Sequence, residues 1–448
     1  MSSAAISEKN PDESSKLKTF LSILRKFIGV PDIASVRFSL PAQLLEPTPN
    51  LDYWNYLDRP ETFASIGASD DELGRMLEVL RFWFTKDLKH IKGKPCKPYN
   101  STLGEFFRSY WEVEQTEPPI YPSGKEPPNG ATTTTVANGQ EDGPIRVCYL
   151  TEQTSHHPPV SAFYIDCPAR GVSARGFDQI SARFTGTSVR VAPGEHNLGI
   201  FVTLHRRDNE EYHLEHPAAH VGGFLRGSLS ISVSDTCAIR CARTRLKVLL
   251  QYHEDGWMGR GPRNRVEGII FRYDPANDTR TKIKDVPKSD ILARIHGSWH
   301  GQIFYSLTSA ASSSASSIKT TSTTSESNNN EEKTHLLIDV APLNPIPKKV
   351  PPDSAQLPNE SRRFWAKVTD AILSKQYAEA TRYKHEIEER QRQKAAARKE
   401  RGEEWHPRFF TSVVTEDGKP ELTEDGKKAL QGLQTGDYAL EESKVLGA

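Results

Sequence analysis

The sequence predicts a mainly β fold of the α+β kind, an antiparallel barrel or sandwich with helices before and after it. Three observations carry this. Between about Gly104 and Leu307 the chain breaks into short alternating or apolar segments separated by turn residues, with no helical stretch between them. Ahead of that region lie two stretches whose apolar residues recur at helical spacing. Beyond Pro352 the pattern turns helical again.

Residues 1–13 are polar and are expected to be disordered. Ser14 and Ser15 are candidates to cap a helix from Lys16 to Ile28, closed by Gly29. Leu17, Phe20, Leu21, Leu24, Phe27 and Ile28 fall on one face of it, and Lys16, Lys18, Arg25 and Lys26 charge the remainder. Such a helix packs permanently on a core, covers a cavity or lies on a membrane surface, and the pattern admits all three. Asp70–Thr85 reads as a second helix with Leu73, Met76, Leu77, Leu80 and Phe84 on one side. It reads as core support, with Phe82, Trp83 and Phe84 filling space.

Strands are expected at Arg146–Leu150, Val160–Ile165, Ser181–Phe184, Thr187–Val191, Gly199–Thr203, Tyr212–Glu215, Leu229–Val233, Thr244–Leu250, Val266–Tyr273 and Gln302–Leu307. A barrel of so many strands is too wide for its own side chains to fill, so it holds a ligand, a plug helix or water. Residues 116–143 and 308–333 are low in complexity, lack the apolar content to order themselves, and read as exposed loops. Glu360–Thr369 and Ala378 to about Arg401 read as helices, the second long and charged. On it Lys384, Glu388 and Arg392 are spaced i, i+4, i+8, one stripe covering about 12 Å of axis. The stripe is either a salt-bridge ladder on a solvated face or a pair of phosphate donors with Glu388 holding them.

Composition narrows the function. The 58 basic and 58 acidic residues cancel, which argues against a protein that coats nucleic acid and puts any electrostatic role in local clusters. The five cysteines are scattered, with Cys237 and Cys241 in an expected strand. With no signal peptide in view, they read as reduced thiols of the cytosol. No run approaches the ~18 apolar residues of a membrane span, so membranes would be visited, not crossed.

The most informative stretch is Glu152–Ala162, EQTSHHPPVSA. Pro158 and Pro159 remove two backbone donors and fix φ, so a strand through Val147–Leu150 must change course after His156 and His157. Two imidazoles are left at a rigid corner. Four readings stand: a structural corner, a metal site, acid–base chemistry, or an anion site alongside Lys or Arg. Metal is disfavoured because adjacent strand residues point to opposite faces, and no zinc-spaced cluster accompanies them.

Glu152–Pro159, EQTSHHPP, resembles the fingerprint of the oxysterol-binding protein family of lipid-transfer proteins. Lys97–Glu105, KPYNSTLGE, is similar to that family's KPxNPxLGE segment. Lys384–Arg392 is similar to its K-x-x-x-E-x-x-x-R helix and Trp405–Phe410 to its terminal WxPxYF, all in the family's order over roughly residues 15–415. The resemblance implies a large incomplete antiparallel barrel enclosing a lipid tunnel. It also implies a lid helix over 14–29, a lipid-binding domain over 30–415 with a C-terminal helical part at 353–415, and a tail at 416–448. Leu17, Phe20, Leu21, Leu24 and Phe27 become the lid's apolar face.

The function implied is extraction of a sterol or phospholipid from one membrane and its exchange for phosphatidylinositol 4-phosphate at another. By the same resemblance His156, His157 and Arg392 engage the monoester phosphate. Lys97 and Lys384 meet other head-group oxygens, and Asn100 and Glu388 add polar contacts. No cofactor, metal, nucleic acid or covalent chemistry is called for, and the membranes would be endoplasmic reticulum, Golgi or plasma membrane, met transiently from the cytoplasm.

The chain departs from the family pattern at three places. Ser101 stands where Pro usually follows the asparagine, and Asp178 and Ser181 stand where many members have Asn and Lys. The carried lipid therefore stays open between sterol and phosphatidylserine. No pleckstrin-homology domain, ankyrin repeat or acidic FF-type motif accompanies the lid, so a short member is expected. Rival classes are a lipid sensor that binds without transfer, a hydrolase using His156 and His157, and a scaffold acting through the Ser/Thr-rich loops.

Overall fold

A computed structural model describes residues 13–36, 40–92, 97–122, 144–224, 229–253, 264–308 and 333–441. Five helices come first: α1 (Glu13–Arg25), α2 (Asn50–Tyr53), α3 (Pro60–Ala64), α4 (Glu72–Thr85) and α5 (Lys89–Lys92). The strands are β1 (Phe106–Val113), β2 (Ile145–His156), β3 (Pro159–Cys167), β4 (Val172–Asp178), β5 (Ile180–Phe184), β6 (Val189–Pro193), β7 (Ile200–Leu204), β8 (Glu210–Leu214), β9 (Ala218–Gly222), β10 (Ser230–Cys241), β11 (Leu246–Tyr252), β12 (Arg265–Arg272), β13 (Ile291–Ser298), β14 (Gln302–Leu307) and β15 (Thr334–Asp339). Three helices follow: α6 (Ser361–Leu373), α7 (Tyr377–Arg401) and α8 (Glu424–Thr435).

The main path of the sheet runs β1-β2-β3-β4-β7-β8-β10-β11-β12-β13-β14-β15, and β5, β6 and β9 form a side flap reached through β10. All strand pairs are antiparallel, as expected. The barrel is incomplete, because β1 and β15 do not pair with each other. One extended segment narrows the gap. Tyr110 and Lys349 exchange backbone hydrogen bonds of 2.8 Å, and the Trp111 indole donates to the Ile346 carbonyl at 3.0 Å.

Helix α4 plugs the barrel. Its residues from Gly74 to Thr85 are all buried, and Met76, Leu77, Val79, Leu80 and Phe82 join one core with residues from β1 around to β14. This corrects the one-sided reading of that helix: a plug touches wall on every side, so even its charged residues are buried. Arg75 pairs with Glu210 at 2.8 Å. Glu78 accepts from the backbone N–H groups of Gly67 and Ser69, both at 2.9 Å. Residues 116–122 are likewise no exposed loop. They lie on the start of α4, where Ser69 Oγ donates to the Ile120 carbonyl and a Cβ at Gly74 would meet that oxygen at 2.3 Å. Residues 1–12, 123–143 and 309–332, expected as disordered or loop, lie outside the described residues.

Two further expectations change. Helix α1 begins at Glu13, so Ser14 and Ser15 lie inside it, although Gly29 closes the following turn at φ +86° as expected. The stretch expected as a tail from 416 holds α8, whose Ala429, Leu430 and Leu433 pack with Phe409 and Phe410 against Phe106, Leu150, Ala162 and Phe177. These residues on the outer face of β1–β4 are thereby covered.

Arg108 on β1 and Glu360 ahead of α6 form a fully buried pair at 3.1 Å, and Arg108 also donates to the carbonyls of Tyr438 and Ala355. Removing one partner of such a pair strands the other charge. Arg108→Met is expected to cost about 3–5 kcal/mol, read as a lowered urea midpoint at constant slope; a loss within error would show that this pair does not hold the C-terminal part in place.

Candidate binding cavity and its mouth

The plug fills one end of the barrel and leaves a cavity of about 1860 Å³ at the other. Phe20 and Leu24 of α1 line it from above, and Trp83, Phe84, Tyr252 and Trp299 line its depth. Trp83 and Phe84 are therefore cavity wall as well as packing, which reading them as space-fillers had missed. Lys97, Asn100, His156, His157, Lys384, Glu388 and Arg392, drawn from three distant segments, all line this same cavity.

At the mouth, β2 ends with His156, the turn through a cis His157–Pro158 bond carries the second imidazole, and β3 starts at Pro159. The two rings sit 4.5 Å apart at 57°. They do not point to opposite faces, because His157 has already left the strand. Lys97 donates to Asn100 Oδ1 at 2.5 Å. Lys384, buried on α7, donates to the Leu40 carbonyl at 3.1 Å and pairs with Glu388 at 3.2 Å. Glu388 thus steadies Lys384, whereas Arg392 is exposed and its Nε rests on Glu389 at 2.9 Å. Among the described residues no group of three His, Cys, Asp or Glu is arranged to hold a metal ion.

Two buried carboxylates set these pieces against one another. Glu105 accepts from Thr102 N at 3.0 Å, Ser361 Oγ at 2.7 Å and Trp365 Nε1 at 3.0 Å, tying the 97–105 loop to α6. Tyr99 adds to that tie by packing its ring 4.9 Å from Trp365. Glu152 accepts from the backbone N–H groups of Arg408 and Phe409, both at 2.8 Å, tying β2 to the segment after α7. Burial pushes both carboxyls up to about 7 against these hydrogen bonds. Ser101, where the family pattern has proline, is buried beside them and lines the cavity.

The cavity floor is polar. Tyr56 donates to Asp178 Oδ1 at 2.5 Å and stacks on His216 at 5.3 Å. The Lys86 ammonium lies 4.8 Å from the Tyr56 ring and 4.7 Å from that of Trp83 and pairs with Asp87. Burial pushes Asp178 up to about 7 and pulls His216 down to about 3. Asp178, one of the departures from the family pattern, thus falls at the floor. Ser181 sits on β5 opposite Ala192, and its neighbours Ile180 and Ala182 line the wall.

Helix α1 lies against the side flap. Leu24 is buried with Ile33, Phe184 and Phe224, and Phe20, Leu21 and Phe27 pack on them. Ile28 is 62% exposed and leaves the apolar face assigned to it. The Leu17 side chain lies outside the described residues. Behind the helix, Asp32 Oδ1 accepts from Ala182 N at 2.8 Å and Ile33 N donates to Ala182 O at 2.6 Å, fixing the segment after α1 to β5.

A hollow, half-open barrel, plugged at one end and roofed by a helix at the other, is the class of protein these elements define. The oxysterol-binding protein profile matches residues 19–431. The chain belongs to the oxysterol-binding protein family. It is 42% identical to the oxysterol-binding protein-like protein 1 of Schizosaccharomyces pombe over 500 aligned positions, covering 95% of this chain and 92% of that protein. It is 26% identical to the oxysterol-binding protein homolog C23B6.01c of the same organism, over 86% of this chain and 68% of that protein. Among solved structures, the Osh1 ORD domain in complex with cholesterol is similar in fold at a TM-score of 0.64 and 19% identity, covering 94% of this chain and 89% of that one. The Osh3 ORD from Saccharomyces cerevisiae in complex with PI(4)P is similar at 0.58 and 16%, covering 93% of each. No helix among the described residues is long and apolar enough to cross a membrane.

Asp178 offers a test of the floor. Its folded value, about 7, lies above the ordinary 3.8, so the folded state keeps a proton that the unfolded chain releases. Its contribution is full below about pH 4 and is lost as pH rises towards 7. Asp178→Asn keeps an acceptor for Tyr56 and cannot titrate. The variant is expected to gain on the wild type between pH 5 and pH 8 and to be about 1–3 kcal/mol more stable at pH 8, measured by urea unfolding at both values.

Proposed function

We propose that this protein extracts a sterol or phospholipid into its cavity and exchanges it for phosphatidylinositol 4-phosphate. The observation that carries the reading is the meeting of His156, His157, Lys97, Lys384 and Arg392 at the mouth of one cavity roofed by the apolar side of α1. A phosphate monoester bears close to two negative charges and calls for several donors at once. Two imidazoles, two ammonium groups and a guanidinium supply them. Each charge-assisted hydrogen bond contributes roughly 1.5–3 kcal/mol, while an apolar guest exposed to water costs about 0.8 kcal/mol per CH₂. The phosphate head thus draws on the rim of the cavity, and the hydrocarbon of either guest on its walls.

The Osh1 and Osh3 domains crystallised with cholesterol and with PI(4)P support both halves of the reading. The steps are binding and release, and they need no nucleophile. The buried free thiols Cys148, Cys167, Cys237 and Cys241 suit the cytoplasm, from which the protein would reach organelle membranes transiently and peripherally.

The experiment is lipid extraction and transfer between vesicles. His156→Ala with His157→Ala is expected to lower phosphoinositide extraction at least tenfold, about 1.4 kcal/mol or more, with sterol extraction retained. Leu24→Asp, which puts a charge into the contact of α1 with Ile33, Phe184 and Phe224, is expected to abolish transfer of both lipids. Undiminished phosphoinositide extraction by the double variant would refute the exchange reading, and binding without transfer by the wild type would make the protein a sensor.

A further inference from the structure

The stripe of α7 that faces the cavity does not stop at Arg392. Gln391, Ala395 and Arg398 also line it. At 3.6 residues per turn, Arg398 lies within about 40° of Lys384 around the helix and ~21 Å further along it. Arg392 is turned about 80° from Lys384 by the same geometry. Arg398 is therefore the better aligned of the two arginines with the buried lysine.

Its surroundings are built. The guanidinium lies 5.6 Å over the Trp405 ring. That indole rests on the backbone of Gly104, where φ is +77° and a Cβ would meet the ring at 2.6 Å. Gly104 N donates to the Gln153 carbonyl at 3.0 Å, three residues before His156. A few residues on, Glu152 of the same strand takes the N–H groups of Arg408 and Phe409. The stacked pair is thus fixed to the strand that delivers the histidines. Among the described residues no carboxylate forms an ion pair with Arg398, and the nearby Glu403 is engaged by Arg401 at 2.7 Å. The Trp405 Nε1–H is buried without an acceptor. Arg392, by contrast, has its Nε engaged by Glu389.

We propose that Arg398, laid on Trp405, is a further anion-binding residue of the mouth and takes a phosphate oxygen of the lipid head at the end of the stripe opposite Lys384. The inference rests on the exchange reading above. A planar guanidinium suits the place, since it stacks on an indole and still presents a fork of N–H donors to a phosphate. A lysine there keeps the charge but loses the fork and the flat contact.

The test uses the full chain and phosphatidylcholine vesicles carrying either phosphatidylinositol 4-phosphate or sterol. A wild type that extracts no phosphoinositide overturns the exchange reading itself. Given wild-type extraction, Arg398→Gln is expected to lower it about tenfold, with sterol extraction within about twofold of wild type. Arg398→Lys is expected to recover only part of the loss. Equal phosphoinositide extraction by wild type and Arg398→Gln overturns the inference alone. Equal loss of both lipids also overturns it, because that marks lost packing on Trp405. Glycerophosphoinositol 4-phosphate, added as a soluble competitor, separates the sources of the phosphate. Competition that weakens in Arg398→Gln assigns the contact to the head group wherever it is presented, and a loss seen only with vesicles assigns it to the membrane-borne lipid; both support the contact.

Discussion

The mouth depends on three buried carboxylates more than on any residue that faces it. Glu105 joins the 97–105 loop to α6, Glu152 joins β2 to the segment after α7, and Glu360 joins the entry of α6 to Arg108 on β1. The elements linked are roughly 250 residues apart in sequence, so no local propensity brings them together. Burying a carboxylate is unfavourable unless its oxygens are matched by donors. Here the donors are backbone N–H groups, a hydroxyl, an indole and a guanidinium, each in a fixed place. Such an arrangement admits one register of the C-terminal part on the barrel, and that register lays α7 across the mouth from the histidine corner. The glutamates of EQTSHHPP and LGE are thus fasteners that hold the segments carrying His156, His157 and Lys97 in place.

The barrel interior is divided by the same logic. Helix α4 occupies one end so fully that its charged residues must find partners inside, as Arg75 does in Glu210 and Glu78 in two backbone amides. Just past its end, Lys86, Asp87, His216, Tyr56 and Asp178 assemble where plug meets void. A dry apolar end to the cavity would favour any hydrocarbon guest. A floor with an aromatic-caged ammonium and a Tyr–Asp hydrogen bond favours a guest that brings a polar group of its own to that end, because an alkyl terminus would desolvate these groups without replacing their contacts.

Much of this was legible in the sequence, and the exceptions have physical causes. The ten expected strands are present because each alternates or is flanked by turn residues. β1 was missed because both its faces are covered, one by the core and one by later chain, so it does not alternate cleanly. β4, with Ser173, Arg175 and Gly176 in its span, has too little apolar content to stand out. Helix α4 read as one-sided because Arg75, Glu78 and Arg81 look like a solvated face, and nothing local says that their partners lie inside a barrel. The mouth residues were legible through spaced motifs, but the floor was not, since Tyr56, Lys86 and His216 belong to no motif and meet only through topology. Trp405 was visible in its motif without a role, and Arg398 was one step further along a stripe already drawn from Lys384 to Arg392.

Three of the mouth cations are held, not waiting. Lys384 rests on Glu388 and the Leu40 carbonyl, Arg392 on Glu389, and Lys97 on Asn100. A rim of unpaired charges would bind a phosphate tightly, but it would also repel itself whenever the cavity held an uncharged guest. Partners of this kind remove that penalty, and the exposed one, Glu389 on Arg392, can be exchanged for phosphate oxygens at small net cost, since an exposed ion pair contributes only about 0–1 kcal/mol. Cations held this way would be satisfied with either guest. On the proposed exchange, occupancy is decided by which lipid the membrane presents, and reversibility, more than affinity, is what the spacing of acids and bases along α7 would provide.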